Sequence, residues 1–361
     1  MSQAVARVNA ERAPANSDNR FVEYKGVAHV HSFLGGHSSG TFSELIGAAK
    51  ANGLQFVIMT EHTERDFDTS AMTLRGLHGG VLFVNGNEVS TANDERLLIV
   101  PGDATLAQSA ATQDVVNAAL SRRSIAIAAY PEEFKSWDTK GVSGVEVFNV
   151  YTTARRINPV VAFFDVLWSR RAYPVLIFAL YYTRPDENLK KWDQELTRSR
   201  STALAGNDAH ANIGVNLKDS SGNTLLGIQL DPYETSFRLV RMHVLLERNK
   251  PLDEANLLDA IKAGHCFIGM DFLGDTSGFS FTGGTRIQGD EIALSPDTRL
   301  NVKIPVSGRV LLFKDGNQIA DENGITSKDF TVTERGVYRV EVYLPGVSGG
   351  PWIISNPIYV R

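Results

Sequence analysis

Apolar residues in this chain gather into short runs, and run after run stops at a histidine, a carboxylate or a tyrosine. The first is Val27-Ala28-His29-Val30-His31. Along a strand, residues i and i+2 share a face, so the pattern aims His29 and His31 at one spot, with His37 close behind. Thr41-Phe42-Ser43-Glu44 has the spacing of a capping box, and Phe42, Leu45, Ile46 and Ala49 predict a short helix up to Asn52-Gly53. The near-continuous run from Leu54 to Thr60 predicts a strand buried on both faces, ending at Glu61-His62. Val81-Leu82-Phe83-Val84 leads into Asn85-Gly86-Asn87-Glu88, and Leu97-Leu98-Ile99-Val100 precedes Pro101. A helical stretch from Asp114 to Arg122 leads to Ile125–Ala129 and Tyr130, and Gly144–Asn149 is a further strand. Helical stretches fill about residues 155–200, after which Thr202-Ala203-Leu204-Ala205 runs into Asn207-Asp208-Ala209-His210.

Strands alternating with helices predict an α/β fold with a parallel sheet and right-handed crossovers. Reactive residues at successive strand C-termini favour closure into a β/α barrel, where such ends converge, over an open doubly wound sheet. Arg238 to Leu246 fits a strand or a helix equally, while Asp253 caps a predicted helix that carries Leu257, Leu258 and Ile261 and ends at Gly264. From Thr276 the period changes. Leu300, Val302, Ile304 and Val306 alternate with polar residues, as do Tyr338, Val340, Val342 and Leu344, and Asp315-Gly316 marks a turn. The reading is a leader over residues 1–20, a barrel over 21–270 and a small antiparallel β-sandwich over 276–361.

Composition narrows the function classes. A chain of 361 residues, 43% hydrophobic and 21% charged, buries a large core. Its formal charge is −5 with the basic residues scattered, which gives no footprint for nucleic acid. The most apolar region, Val160 to Tyr182, contains Asp165, Arg170, Arg171 and Pro174, which argues against a membrane span. The first 20 residues lack the apolar core of a signal peptide and read as disordered. The single cysteine, Cys266, lies among apolar residues and is expected to be a buried side chain, not a nucleophile. These features leave the compartment open.

The chemistry lies in the run ends: His29, His31, His37, His62, Glu88, Asp208 and His210, five of the eight histidines among them. Imidazoles and carboxylates without cysteine suit zinc, manganese or iron, and more than four ligands imply more than one ion. Glu61 is expected to orient a ligand instead of binding metal itself. His78 reads as a loop residue, and His243 and His265 as satisfied structural histidines. Two further residues are candidates for touching substrate: Tyr130 as a hydrogen-bond donor, and Arg155, with Arg156 beside it, as a site for an anionic small molecule.

Four motifs in order, His29-Val30-His31 with His37, Thr60-Glu61-His62, Gly86-Asn87-Glu88 and Asn207-Asp208-Ala209-His210, resemble those of the PHP (polymerase and histidinol phosphatase) family over about residues 24–212. The tail from Gly350 to Val360 is similar, more loosely, to the C-terminal β-domain of a branch that includes carbamate hydrolases. The resemblance implies a distorted seven-stranded β/α barrel with a polynuclear metal site. It assigns His29, His31, Glu88 and Asp208 to one ion and His37, His62 and His210 to another, with Glu88 bridging to a third. Here the chain departs from the pattern, because Tyr130 stands where a His-Pro is usual and no histidine follows Glu146 in its strand. Two divalent ions are therefore expected. The implied activity is phosphoester hydrolysis by hydroxide from a metal-held water. Two alternatives share the site: hydrolysis of a carbamate, ester or amide, and a barrel that binds metal or ligand without turnover.

Overall fold

The computed structural model describes residues 2–12, 20–103, 109–155, 178, 181–211, 214–218, 224–229, 232–347 and 349–361. The fold is mixed α/β with a β-rich C-terminal region. Helix α1, Ser2–Glu11, corrects the expectation of a disordered leader: Val8 is buried, and Arg12 just beyond the helix pairs with Asp275 at 2.9 Å. Strand β1, Phe21–Val30, runs parallel to β2, Phe56–Met59, with α2, Phe42–Ala51, between them. The capping box is present: the Thr41 side chain accepts from Glu44 N, and the Glu44 carboxylate accepts from Thr41 N at 2.8 Å.

Strand β2 is buried throughout and continues after Thr60 into β3, Glu61–His62, while β4, Gly76–His78, turns back into β5, Val81–Val84, which continues into β6, Asn87–Ser90. At that continuation a Cβ on Gly86 would lie 2.5 Å from the Met59 carbonyl oxygen, so only glycine lets the neighbouring chains approach. Strand β7, Arg96–Val100, is antiparallel to β6 and to β8, Ile125–Ala129, which corrects the expectation of a wholly parallel sheet. Hairpin pairing of β6 with β7 through a short connection leaves no room for a crossover helix. Parallel order resumes through β9, Gly144–Asn149, and β10, Thr202–Gly206.

One sheet carries β1, β2 and β5; the other runs β10-β9-β8-β7-β6-β3. The β10 end of the second sheet meets β1: Asn207 N donates to Ala28 O at 2.9 Å and His31 N to Ala209 O at 3.1 Å. Between the strands, Ile58, Val84, Leu98, Ile127, Val145 and Ala205 pack into one apolar interior. Val27 and Val30 belong to a second cluster, against α2.

The stretch Arg238 to Leu246 that suited either element is a strand, with Arg241–Glu247 antiparallel to β1. A helix over Glu254–Ala263 follows, capped by Asp253 and closed by Gly264 at φ 79°. The next strand, Cys266–Gly269, pairs with Ile353–Ser355, so the C-terminal region is hydrogen-bonded into the sheet that holds β1. Its long hairpin, Arg299–Lys314 with Asn317–Thr331, turns at Asp315-Gly316 as the sequence predicts. Buried Asn356 bonds both backbone groups of Ala203 on β10, at 2.7 and 3.2 Å. Burial pushes the Cys266 thiol up to about 12, against the hydrogen bond from Asn356, and leaves it inert. Among the described residues no helix is long and apolar enough to cross a membrane.

Candidate metal centre

Strand ends place the polar cluster. The sequence argument for His29 and His31 rested on a regular pleat, but the structure brings them together through a kink: His29 has φ 59°, the register with β2 shifts between Val27 and Val30, and β1 ends before His31. Their rings lie 5.1 Å apart. Tyr130 and Asp208 also sit in the left-handed region, at φ 47° and 48°. Each such non-glycine residue costs on the order of 1–3 kcal/mol, and strain of this kind concentrates where geometry serves chemistry. Tyr233 donates to the His31 carbonyl at 2.5 Å, and the Ser38 hydroxyl to that of His210, which fixes both chain segments.

Six of the seven sequence-predicted ligands converge. His29 Nε2 lies 3.3 Å from Glu88 Oε2 and 3.5 Å from Asp208 Oδ1; His31 Nε2 lies 3.4 Å from each of the same two oxygens. His62 Nδ1 is 3.5 Å from Glu88 Oε2, and His210 Nδ1 is 3.4 Å from Asp208 Oδ1. The His31 ring stacks near those of His62 and His210, with centroids at 4.6 and 4.3 Å. Two trios have one ligand atom each within 4.8 Å of the others: His29, His31 and Glu88, and His31, His62 and His210. His31 belongs to both trios. His37 lies at the rim, its ring 4.9 Å from His62, in the wall of the same cavity.

The donor set fits cations. Among the described residues, His31 Nδ1 and Nε2 and Asp208 Oδ1 are buried and make no hydrogen bond, a state that normally costs about 1–3 kcal/mol per group. Burial, then the neighbouring His31, holds His62 down to about 4, and burial lowers His31 as well, so both rings are neutral and offer lone pairs. Burial opposes ionisation of Glu88, but the hydrogen bond and charge of His29 outweigh it and hold that carboxyl to about 2. Burial likewise opposes protonation of His29, yet Glu146 and Asp208 raise it well above an ordinary histidine, which marks a demand for positive charge between the carboxylates.

Residues around the ligands orient them. His29 Nδ1 donates to Glu146 Oε1 at 2.6 Å, leaving Nε2 toward the cluster. Glu61 accepts from Ser32 N at 2.9 Å and from the Thr73 hydroxyl at 2.7 Å. Tyr130 donates to Asp208 Oδ2 at 2.7 Å and Asn149 Nδ2 approaches the same oxygen at 3.3 Å, while Tyr130 also lines the cavity. Arg155 ends the helix Val150–Arg155, and its side chain lies outside the described residues, as does all of Arg156. His243 and His265 are satisfied, by Glu23 at 2.6 Å and Asp290 at 3.0 Å, and His78 bonds the Arg75 carbonyl at 2.9 Å.

Two residues escape the sequence reading. Glu146 hides inside the apolar run Val145-Glu146-Val147, where a carboxylate among valines was the available signal. Arg96 stands at the start of β7, and lines a cavity of about 380 Å³ with His62, Glu88, Tyr130, Asp208 and His210.

No protein-family model matches the chain, and no curated protein matches it. Among solved structures, PsfC from Pseudomonas syringae PB-5123 is similar over 66% of this chain and 88% of its own, with 15% sequence identity and a TM-score of 0.41. The chemistry of the centre therefore rests on its own geometry.

Proposed function

We propose that the protein is a metal-dependent hydrolase of PHP type that acts on a phosphoester, and that its two sheets form one distorted barrel. Counting β2 with β3 and β5 with β6 as single bent strands gives a ring β1, β2/β3, β5/β6, β7, β8, β9, β10 that returns to β1 through the Asn207 and His31 hydrogen bonds. The observation that carries the functional reading is the convergence of buried, unpartnered ligand atoms on His31 and Asp208 from separate chain segments.

Two divalent ions, zinc, manganese or iron, would be held by His29, His31, His62, Glu88, Asp208 and His210, with His37 at the rim; His31 sits in both trios, and its neutral ring, with one lone pair, would serve one ion. When bound, such ions supply Lewis acidity and acidify a water. The chain's own residues do the rest. Glu146 fixes the His29 tautomer, Tyr130 and Asn149 occupy one oxygen of Asp208 and turn the other toward the cluster, and Glu61 ties Ser32 behind His31.

The test is elemental analysis of chain purified without chelator, paired with turnover of aryl phosphomonoesters, phosphodiesters and carbamates before and after ion removal. Two ions per chain and chelator-sensitive phosphoester turnover are expected. Turnover of carbamates alone would move the reaction to a carbonyl carbon, and absence of both ions and turnover would leave a ligand-binding barrel.

A further inference from the structure

Three arginines elsewhere in this molecule are paired closely. Arg339 meets Asp193 with two bonds of 2.7 Å, Arg309 meets Asp321 at 2.8 and 2.6 Å, and Arg184 meets Glu341 at 2.8 and 2.7 Å. That is the bidentate fork a structural guanidinium adopts on a carboxylate. Arg96 does not adopt it. Its one ion pair is a long contact of Nε with Glu88 Oε1 at 3.5 Å, and its Nη1 is buried without a partner among the described residues.

Its position follows from the reversed strand. Leu98 and Val100, on the same face of β7, pack into the interior between the strands, so Arg96 extends that face to the end where the ligands gather. The register sets Arg96 opposite Ser90 on β6 and Ala129 on β8, next to Tyr130 and two pairs along from Glu88. Glu88 already serves three imidazoles, so its single long contact leaves much of the hydrogen-bonding capacity of Arg96 unused on the wall of a cavity that Glu133 also lines, where an entering anion would meet both the guanidinium and any bound cation.

We propose that Arg96 is the substrate-anchoring residue of this centre, its free guanidinium edge receiving a non-bridging oxygen of a phosphoryl group. The inference rests on the hydrolase reading for the reaction, though not for the anion binding. It assigns the anion-binding role to the start of β7 instead of to Arg155.

The test uses the full chain, Arg96→Gln and Arg96→Lys, with inorganic phosphate as the probe in calorimetric titration and metal content measured on the same samples. Arg96→Gln is expected to keep its ions and to weaken phosphate binding about 10- to 100-fold, the range for losing a charged hydrogen-bond partner. Arg96→Lys, which keeps the charge without the fork, is expected to fall between. For a phosphomonoester that turns over, the loss appears in KM more than in kcat. Phosphate affinity equal to wild type in Arg96→Gln overturns the proposal, and so does loss of the ions in that variant, which would make Arg96 a support for Glu88. Failure of the hydrolase reading looks different: the wild type then holds no ion, and the same titration on ion-free protein decides Arg96 separately, with no phosphate binding by wild type in either form counting against it.

Discussion

Two clusters of buried histidine touch opposite parts of β1, and they are built on contrary rules. Near its start, Glu23 accepts from His243 Nδ1 at 2.6 Å while His243 Nε2 donates to the Thr276 hydroxyl at 2.8 Å, and that hydroxyl donates to Asp271 at 2.7 Å. Both ring nitrogens are used, and the ring stacks on Phe267 at 4.5 Å. At the other end His31 is just as buried, yet neither nitrogen has a hydrogen-bond partner among the described residues, and a kinked His29 stands beside it. A buried imidazole is stable when its neighbours complete it. The centre at the end of β1 lacks that completion from protein atoms, which marks it as a place where a ligand finishes the bonding.

The sharpest way to break this contrast is to delete each cluster's histidines. A His29→Ala, His31→Ala double variant is expected to lose its bound ions and to lower turnover by about 10³-fold or more, since the ions account for several kcal/mol of transition-state stabilisation. The ion-free unfolding free energy of the His31→Ala single variant should stay near that of ion-free wild type, because its unpaired nitrogens are removed along with the packing, whereas the double variant also strands Glu146. His243→Ala should do the reverse, keeping the ions but costing about 3–5 kcal/mol by stranding Glu23 and Asp271. Denaturant titration with elemental analysis on all three variants checks this. Equal stability losses in His31→Ala and His243→Ala would make the site histidines structural and end the contrast.

Patterns of short range carried much of this into the sequence. The capped α2, the buried run of β2 and the polar ends at His62, Glu88 and Asp208 are local features, and the structure places them as read. What escaped depends on pairing between distant segments. The direction of β7 is set by its partners, so a search of strand C-termini passed over Arg96 at a strand start. The role of Glu146 depends on which histidine it faces, and Val8, the one buried residue among the described side chains of α1, gives too weak a period to announce the helix. The join of the C-terminal region to the rest runs through a three-residue pairing that no periodicity marks.

A pH experiment sharpens the His243 half. Burial opposes its charge, but Asp271 and Glu23 raise the imidazole from 6.5 to about 9. A folded value above the unfolded one means stability fully present below pH 6.5, declining between 6.5 and 9 and gone above. The contribution is about 3 kcal/mol. Urea unfolding of ion-free wild type and His243→Gln is expected to differ more at pH 6 than at pH 10 by that amount. A constant difference would show that the ring is neutral in the fold.

The smallest effect concerns how the other half is held. Glu146 is buried, and a Cβ on Gly206 would come within 1.7 Å of its Oε1, so the strand next door is shaped to admit this carboxylate. Glu146→Gln keeps an acceptor for His29 Nδ1 and removes the charge, whereas Glu146→Ala removes both. If the charge strengthens His29 as a ligand, Glu146→Gln weakens zinc affinity about 10-fold and Glu146→Ala approaches 100-fold, measured by competition with a chromophoric chelator. Wild-type affinity in Glu146→Gln with a loss in Glu146→Ala would assign the effect to orientation alone. No loss in either would mean that His29 needs no support, and that the completed bonding at this end of β1 lies wholly with the ligands themselves.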